Sequence, residues 1–361
     1  MRLLLIGLLA IFAALPLHAQ EEPLPVNRDN VTRLASAARI DFDDLPEAAG
    51  IIQSGGFTLD PAGQRLALRN RDNAVTIFDT NGALVDVFTV PGADGLPDTV
   101  LDYAFDRSGG LLAAIASDGA TYTIAIRIID SGLTLIEPFL FAPDVPLRVW
   151  FDADTPTYWL EITPTDAGKS PYVVRVPYAL PGVEASGAAP DVLPFAPDSD
   201  PDTFTRFGRI GAPYAVTATQ AGVVTVWNLE AAAAIASART DGLPVFGGLN
   251  RSATALAWRD PDYQALHLLD FTTGEDRLIA PLDGAYINYI LVTPDADVIL
   301  GVHVGAQPIV AAWDTATGER TDLGAYRECT RTPDMARLSG NAAVLVIGCD
   351  TGVDIWRVES E

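Results

Sequence analysis

A strand–turn–strand unit that recurs along the whole chain limits its fold more than any other feature of the sequence. It is clearest in FTLDPAGQRLALRNRDNAVTIFD, which begins at Phe57. Asp60-Pro61-Ala62-Gly63 places Pro and Gly where a tight turn needs a fixed and a positive φ. Leu66, Leu68, Val75 and Ile77 recur at period two, as strands require. The pattern returns from Phe105, from Val292 and, more weakly, from Arg337. Degenerate copies fill the intervals, with turns near Asp152 to Pro156, Arg209 to Ala212 and Asn250 to Ser252. Turn centres near 61, 107, 154, 210, 251, 294 and 339 span 278 residues in six steps, about 46 each.

One such unit cannot bury its own faces, so neighbours must stack. Seven strand-rich units at this period predict an all-β fold, a seven-bladed β-propeller of four-stranded blades. Long helical patterns are nearly absent. The run Ala231 to Ala236 reads either as one short helical turn or as the outer strand of a blade. The chain stops at Glu361, just after the third strand of the seventh unit. An open ring leaves two sheet edges unpaired, so the last strand must come from elsewhere. Residues Ala38 to Phe42 are the expected donor, pairing near Ile355 to Val358. The expected organisation is a leader over 1–19, a lead-in and ring-closing strand over 20–45, and the propeller over 46–361. The Pro/Gly/Ala-rich stretch 181–203 reads as an extended link between the third and fourth blades.

The turns LDPAG and VTPDA, and the strand ends WNLEA and WDTATGE, resemble those of bacterial secreted WD-repeat (tryptophan–aspartate repeat) propellers. Trp227, Trp313 and Trp356 stand at that family's terminal Trp position, with Phe78, Ile129 and Leu269 replacing it elsewhere. Asp79, Asp130, Asp270 and Asp314 fill the Asp position that follows. The opening VNRDNVTRLASAARI (26–40) resembles the lead-in before the first blade of some members, and the likeness covers about residues 26–358. The Gly-His dipeptide of the eukaryotic repeat is absent, so rigidity is expected mainly from apolar packing between blades. The resemblance implies protein–protein interaction.

Charge narrows the partners. The chain has 47 acidic and 23 basic side chains, a net charge of -24. Counterion release from nucleic acid needs the opposite sign, as does an anionic membrane surface. A basic protein partner is expected, with a glycan as the alternative, and the chain is expected to be a monomer. Arg2, the apolar run Leu3 to Leu15, Pro16 and small Ala19 read as a secretory signal cut near Ala19. That places the protein in the secreted or cell-envelope exterior, where disulfides persist.

No chemistry-bearing motif stands out. His267 and His303 lie in apolar strands and read as packed side chains. There is no nucleophile elbow, His-Glu helix motif or phosphate loop. No catalytic residue, cofactor-binding residue, cofactor or metal ligand is assigned. Asp198, Asp200 and Asp202 alternate like a calcium loop but lack its Gly and distal Glu, so they read as a solvated connector, as does DFDDLPE from Asp41. Trp150, Phe151, Tyr158, Trp159, Tyr172 and Tyr178 concentrate in blade three. They read as inter-blade core, with sugar stacking as the alternative. A hydrolase or lyase using channel carboxylates and a metal ranks last. The sequons at Asn30 and Asn250 are expected to carry nothing. The turns Arg71-Asp72-Asn73, Ser117-Asp118-Gly119 and Asp350-Thr351-Gly352 should gather on one rim, the favoured region for a binding surface.

Cys329 and Cys349 each lie ten residues from the turn centre at 339, so a hairpin sets them opposite one another. Their Cβ atoms can then approach to roughly 4 Å. The bridge would close a loop of about twenty residues and contribute about 3 kcal/mol in the chain-entropy account. Freshly purified, denatured protein should therefore show no titratable thiol; two free thiols would refute the bridge.

Overall fold

A computed structural model describes residues 23–50, 52–92, 96–152, 155–166, 172–178, 190–194, 203–207, 213–219, 221–240, 242, 244, 246–262, 264–282, 286–303, 309–326 and 335–359. The leader over 1–19 and Cys329 lie outside these residues, as do Asp198, Asp200 and Asp202. Cys349 is buried, 2% exposed.

The strands form seven antiparallel sheets of four. Blade one runs through Ile52–Leu59, Arg65–Asn70, Ala74–Asp79 and Leu84–Thr89, and blade two through Thr99–Phe105, Leu111–Ser117, Tyr122–Ile128 and Leu133–Pro138. Blade three has Val145–Phe151, Thr157–Thr163, Tyr172–Pro177 and Asp191–Pro194; blade four has Thr203–Phe207, Tyr214–Thr219, Val223–Asn228 and Ala233–Arg239. Blade five is Phe246–Leu249, Ala255–Arg259, Ala265–Asp270 and Glu275–Pro281, and blade six is Ile287–Val292, Val298–His303, Ile309–Asp314 and Arg320–Ala325. Blade seven takes Met335–Leu338, Val344–Gly348 and Gly352–Val358, and its fourth strand is Leu34–Asp41. From Ala233 the alanine run is an outer strand, largely exposed, with Ala231 and Ala232 in the turn before it and no helical turn there. The stretch 181–203 is not wholly a link, because Asp191–Pro194 is the outer strand of blade three.

Second strands are buried along most of their length, and wholly so in Val298–His303 and Val344–Gly348. Each lies inside its blade with a neighbouring blade on either face, so both side-chain rows are covered and alternation disappears. Apolar side chains collect in seven clusters among the described residues, and each cluster bridges two adjacent blades. The one between blades seven and one joins Ile40, Val346, Val353 and Ile355 to Phe57, Leu66 and Phe78.

Polar turns stitch the same seams. At the turn between first and second strands, one side chain accepts the backbone N–H groups four and five residues on. Asp60 accepts from Gln64 (2.6 Å) and Arg65 (2.8 Å), Asn250 from Thr254 and Ala255 (2.9 Å each), and Ser339 from Ala343 and Val344 (3.0 Å each). Three residues after each cap the backbone turns left-handed, at Gly63, Ala253 and Ala342. Neighbouring turns also touch. Asn341 donates its backbone N–H to Pro61 O (3.1 Å) and its Nδ2 to Ala62 O (3.0 Å), and Asn250 Nδ2 reaches Pro294 O (2.8 Å). Packing between blades is therefore polar at the turns as well as apolar inside.

The pairing of Leu34–Asp41 with Gly352–Val358 sets Arg39 opposite Asp354. Their side chains are 7% and 0% exposed, with Nη1 to Oδ1 at 2.9 Å. Arg39 also donates to the Thr351 hydroxyl (2.9 Å) and, through Nε, to the Asp41 carboxylate. Removing one member of a buried pair strands the other charge away from water.

Two stability measurements follow from this geometry. Asp354→Ala should cost about 3 kcal/mol or more in a denaturant melt. Arg39→Leu with Asp354→Leu together should cost less than the single change, because no charge is then left buried. Asp60 gives the second. Its Oδ2 is buried without a partner, and burial raises its pKa above the ordinary carboxylate value. A raised native pKa means that the cost of the buried charge is present above that pKa and relieved as pH falls through it. Asp60→Asn keeps the turn acceptor, so it should melt at least as high as wild type at neutral pH, with the gap closing in acid.

Candidate binding rim

Strands alternate in direction, so each end of the propeller carries a different set of connections. One end holds the turns between first and second strands, already committed to stitching blades. The other holds the turns between second and third strands and the connectors from blade to blade. Arg71-Asp72-Asn73, Ser117-Asp118-Gly119 and Asp350-Thr351-Gly352 all lie at this second end.

Acidic side chains dominate there. Asp43, Asp44 and Glu47 in the connector into blade one are exposed, as are Asp72, Asp118, Asp166 and Asp262. Arg71 is the one cation in these turns and connectors among the described residues. The opposite end mixes signs, with Arg28, Arg107 and Arg251 exposed. The rim turns are held by their own carboxylates and amides. Asp118 accepts from Thr121 N (2.6 Å) and Ala120 N (2.8 Å), and these bonds hold its carboxyl below the usual range. Asn70 accepts from Asp72 N (3.0 Å) and Ala74 N (2.9 Å), and Asp260 from Gln264 N (2.7 Å). These bonds fix the turn backbones, and the Asp43, Asp44, Glu47 and Asp72 side chains stand exposed beside them.

The other candidates are structural. His267 stacks on Trp258 at 4.2 Å, and Trp258 Nε1 donates to Asp276 (3.0 Å). His303 stacks on Trp313 at 5.8 Å, and burial lowers its pKa to about 4, so it stays neutral at physiological pH. Among the described residues no group of three or more His, Cys, Asp or Glu is placed to hold a metal. In blade three, Trp150 and Trp159 stack 6.3 Å apart, both 4% exposed, against Val173, Ala215 and Leu229. Tyr158 packs with Leu160 and Ile162 against blade two. Buried rings of this kind cannot lie on a sugar face, which removes the basis for a glycan site on Trp159. Asn250 Nδ2 is consumed by three hydrogen bonds, and Asn30 is buried with its Nδ2 on Pro25 O (2.8 Å), so neither sequon presents a free amide in the fold.

No protein-family model matches the chain, and no curated protein matches it. Among solved structures it is similar to the Cps50 (Swd1) β-propeller domain of Myceliophteria thermophila, with a TM-score of 0.53 and 14% identity. That likeness covers 85% of this chain and 97% of the other. At this identity it shows the fold, a WD40-like β-propeller, and leaves function to the surface itself.

The sequence points to the rim turns as the favoured region for a binding surface but assigns no residue there. The signal available was the excess of Asp and Glu over Lys and Arg, taken across all the segments that the alternation of strands sends to one end. A cleft between blades two and three had no signal, because its walls come from segments unrelated in sequence.

Proposed function

We propose that this protein is a secreted, non-catalytic scaffold that holds a basic protein partner on its acidic rim. The observation that carries this reading is the separation of charge between the two ends, with one cation against seven exposed carboxylates at the rim among the described residues. A propeller fixes its turns on a rigid frame, and such loops are where binding residues gather. A field of one sign steers oppositely charged partners and is screened by salt. The fold alone does not name a function, so the weight rests on the rim. Secretion is supported by the apolar leader with Arg2 before it and Ala19 at its end. The Cys329–Cys349 bridge belongs to the same reading, since an exported chain meets an oxidising compartment.

The test is capture of partners from the native extracellular fraction on the chain lacking its leader, at low and moderate salt. A stoichiometric basic protein should elute as salt rises, and the variant Asp43→Lys, Asp44→Lys, Asp72→Lys, Asp118→Lys should capture roughly tenfold less or nothing. Capture that ignores both salt and these substitutions would refute the rim.

A further inference from the structure

The outer side of the seam between blades two and three opens into a cleft of about 290 Å³. Its walls include Phe139, Leu140 and Phe141 from the connector leaving blade two, and Tyr158 and Pro177 from blade three. Phe139 packs edge-on against both Tyr122 and Phe141, each pair 5.6 Å between centroids, which holds the connector in place. Leu140 is 68% exposed at the lip. One acidic group, Glu137, faces this apolar wall. Its Oε2 accepts the Tyr158 hydroxyl at 2.8 Å. No cation pairs with it among the described residues. Burial of the ring, and then the charge of Glu137 and the bond to it, raise the Tyr158 pKa, so the phenol stays a neutral donor.

From this arrangement we infer that the cleft holds an arginine side chain of a basic, apolar-flanked peptide segment in the partner. Glu137 is half-buried against an apolar wall with one neutral donor, so a cation there adds a charge-assisted hydrogen bond that water alone does not match. Aromatic rings present negative faces that attract a guanidinium, whose flat surface stacks on them while its fork meets the carboxylate. An anionic ligand would meet Glu137 with the same sign, and a purely apolar one would leave it unpaired. The volume lies near the lower end of small-ligand sites, enough for one side chain with part of a neighbour. Leu140, Phe139 and Pro177 then supply the surface on which the flanking apolar residues rest. This inference rests on the reading of the protein as a scaffold for basic partners, and it names a specificity site beside the rim.

The probe is the blocked tripeptide acetyl-Leu-Arg-Leu-amide, titrated by calorimetry into the whole chain, with a twin in which neutral citrulline replaces arginine. Wild type should bind the arginine peptide at least about tenfold more tightly than its twin. Glu137→Gln keeps an acceptor for the Tyr158 hydroxyl, so it should melt like wild type yet lose that preference. Leu140→Ala, at an exposed position, should weaken both peptides alike. The rim variant should bind the arginine peptide as wild type does, which separates the two sites. No binding by wild type at millimolar peptide, or equal binding of the twin, or an undiminished preference in Glu137→Gln, would overturn the cleft. Loss of partner capture in the rim variant would still stand apart from any of those results.

Discussion

The antiparallel pairing of Leu34–Asp41 with Gly352–Val358 is the contact on which the rest of the ring depends. Every other blade is made from consecutive chain, so its hairpins close far shorter loops. This one joins residues more than three hundred positions apart, the largest loop-closure cost in the molecule. A slip of one residue would send Ile40 out and Arg39 into the apolar seam. The Arg39–Asp354 pair discriminates against that slip, since a buried charge is tolerable only with its partner in place. The lead-in adds to the fastening. Val26 is buried and donates its backbone N–H to Ala342 O (2.9 Å), and Arg28 N meets Asp297 Oδ2 (2.9 Å) on blade six.

Closure at one seam is useful only if all seams are alike, and the turn caps show how this is arranged. Asp60, Asn250, Thr293 and Ser339 are different residues doing one job, accepting backbone N–H groups of the strand that follows. What they share is a short side chain ending in oxygen. The left-handed position after them shows the same latitude, with Gly in blades one and two and Ala in blades five to seven. The two glycines are the constrained cases: a Cβ at Gly63 would stand 2.8 Å from Val344 Cγ2 across the closing seam, and one at Gly109 2.7 Å from Asp60 Oδ2. One end of the molecule is thereby used up in holding blades together. The other end is also tied between segments, as by Asn70 Nδ2 to Ala49 O (3.0 Å) and Phe42 N to Thr351 O (3.0 Å), and it is there that exposed carboxylates accumulate.

Much of this was legible in the chain. The turn residues and their spacing gave the number of blades, because Pro, Gly and Asp at fixed offsets have backbone requirements that survive any context. The missing fourth strand of blade seven pointed to the N-terminal donor, although the strand begins at Leu34, earlier than Ala38. What was not legible depends on contacts between distant segments. The outer strand Asp191–Pro194 is flanked by Pro190 and ends in Pro194, and it pairs only because Tyr172–Arg175 offers an edge. The alternation read at Leu66 and Leu68 gave way to continuous burial through Ala67, because a second blade covers the other face. Neither the Arg39–Asp354 pair nor the Glu137–Tyr158 contact has any local pattern, since each joins segments whose relative register is set by the whole ring.

Native-state hydrogen exchange on the closing strands tests the account most directly. If the ring is held by this pairing, amides of Arg39 to Asp41 and Val353 to Ile355 should exchange only through global unfolding. Their exchange free energy would then match that of the second strands of blades one and six. If the closing amides exchange at a much lower free energy while those strands stay protected, the closing pair is a frayed ornament on a ring that some other contact holds, and the account fails.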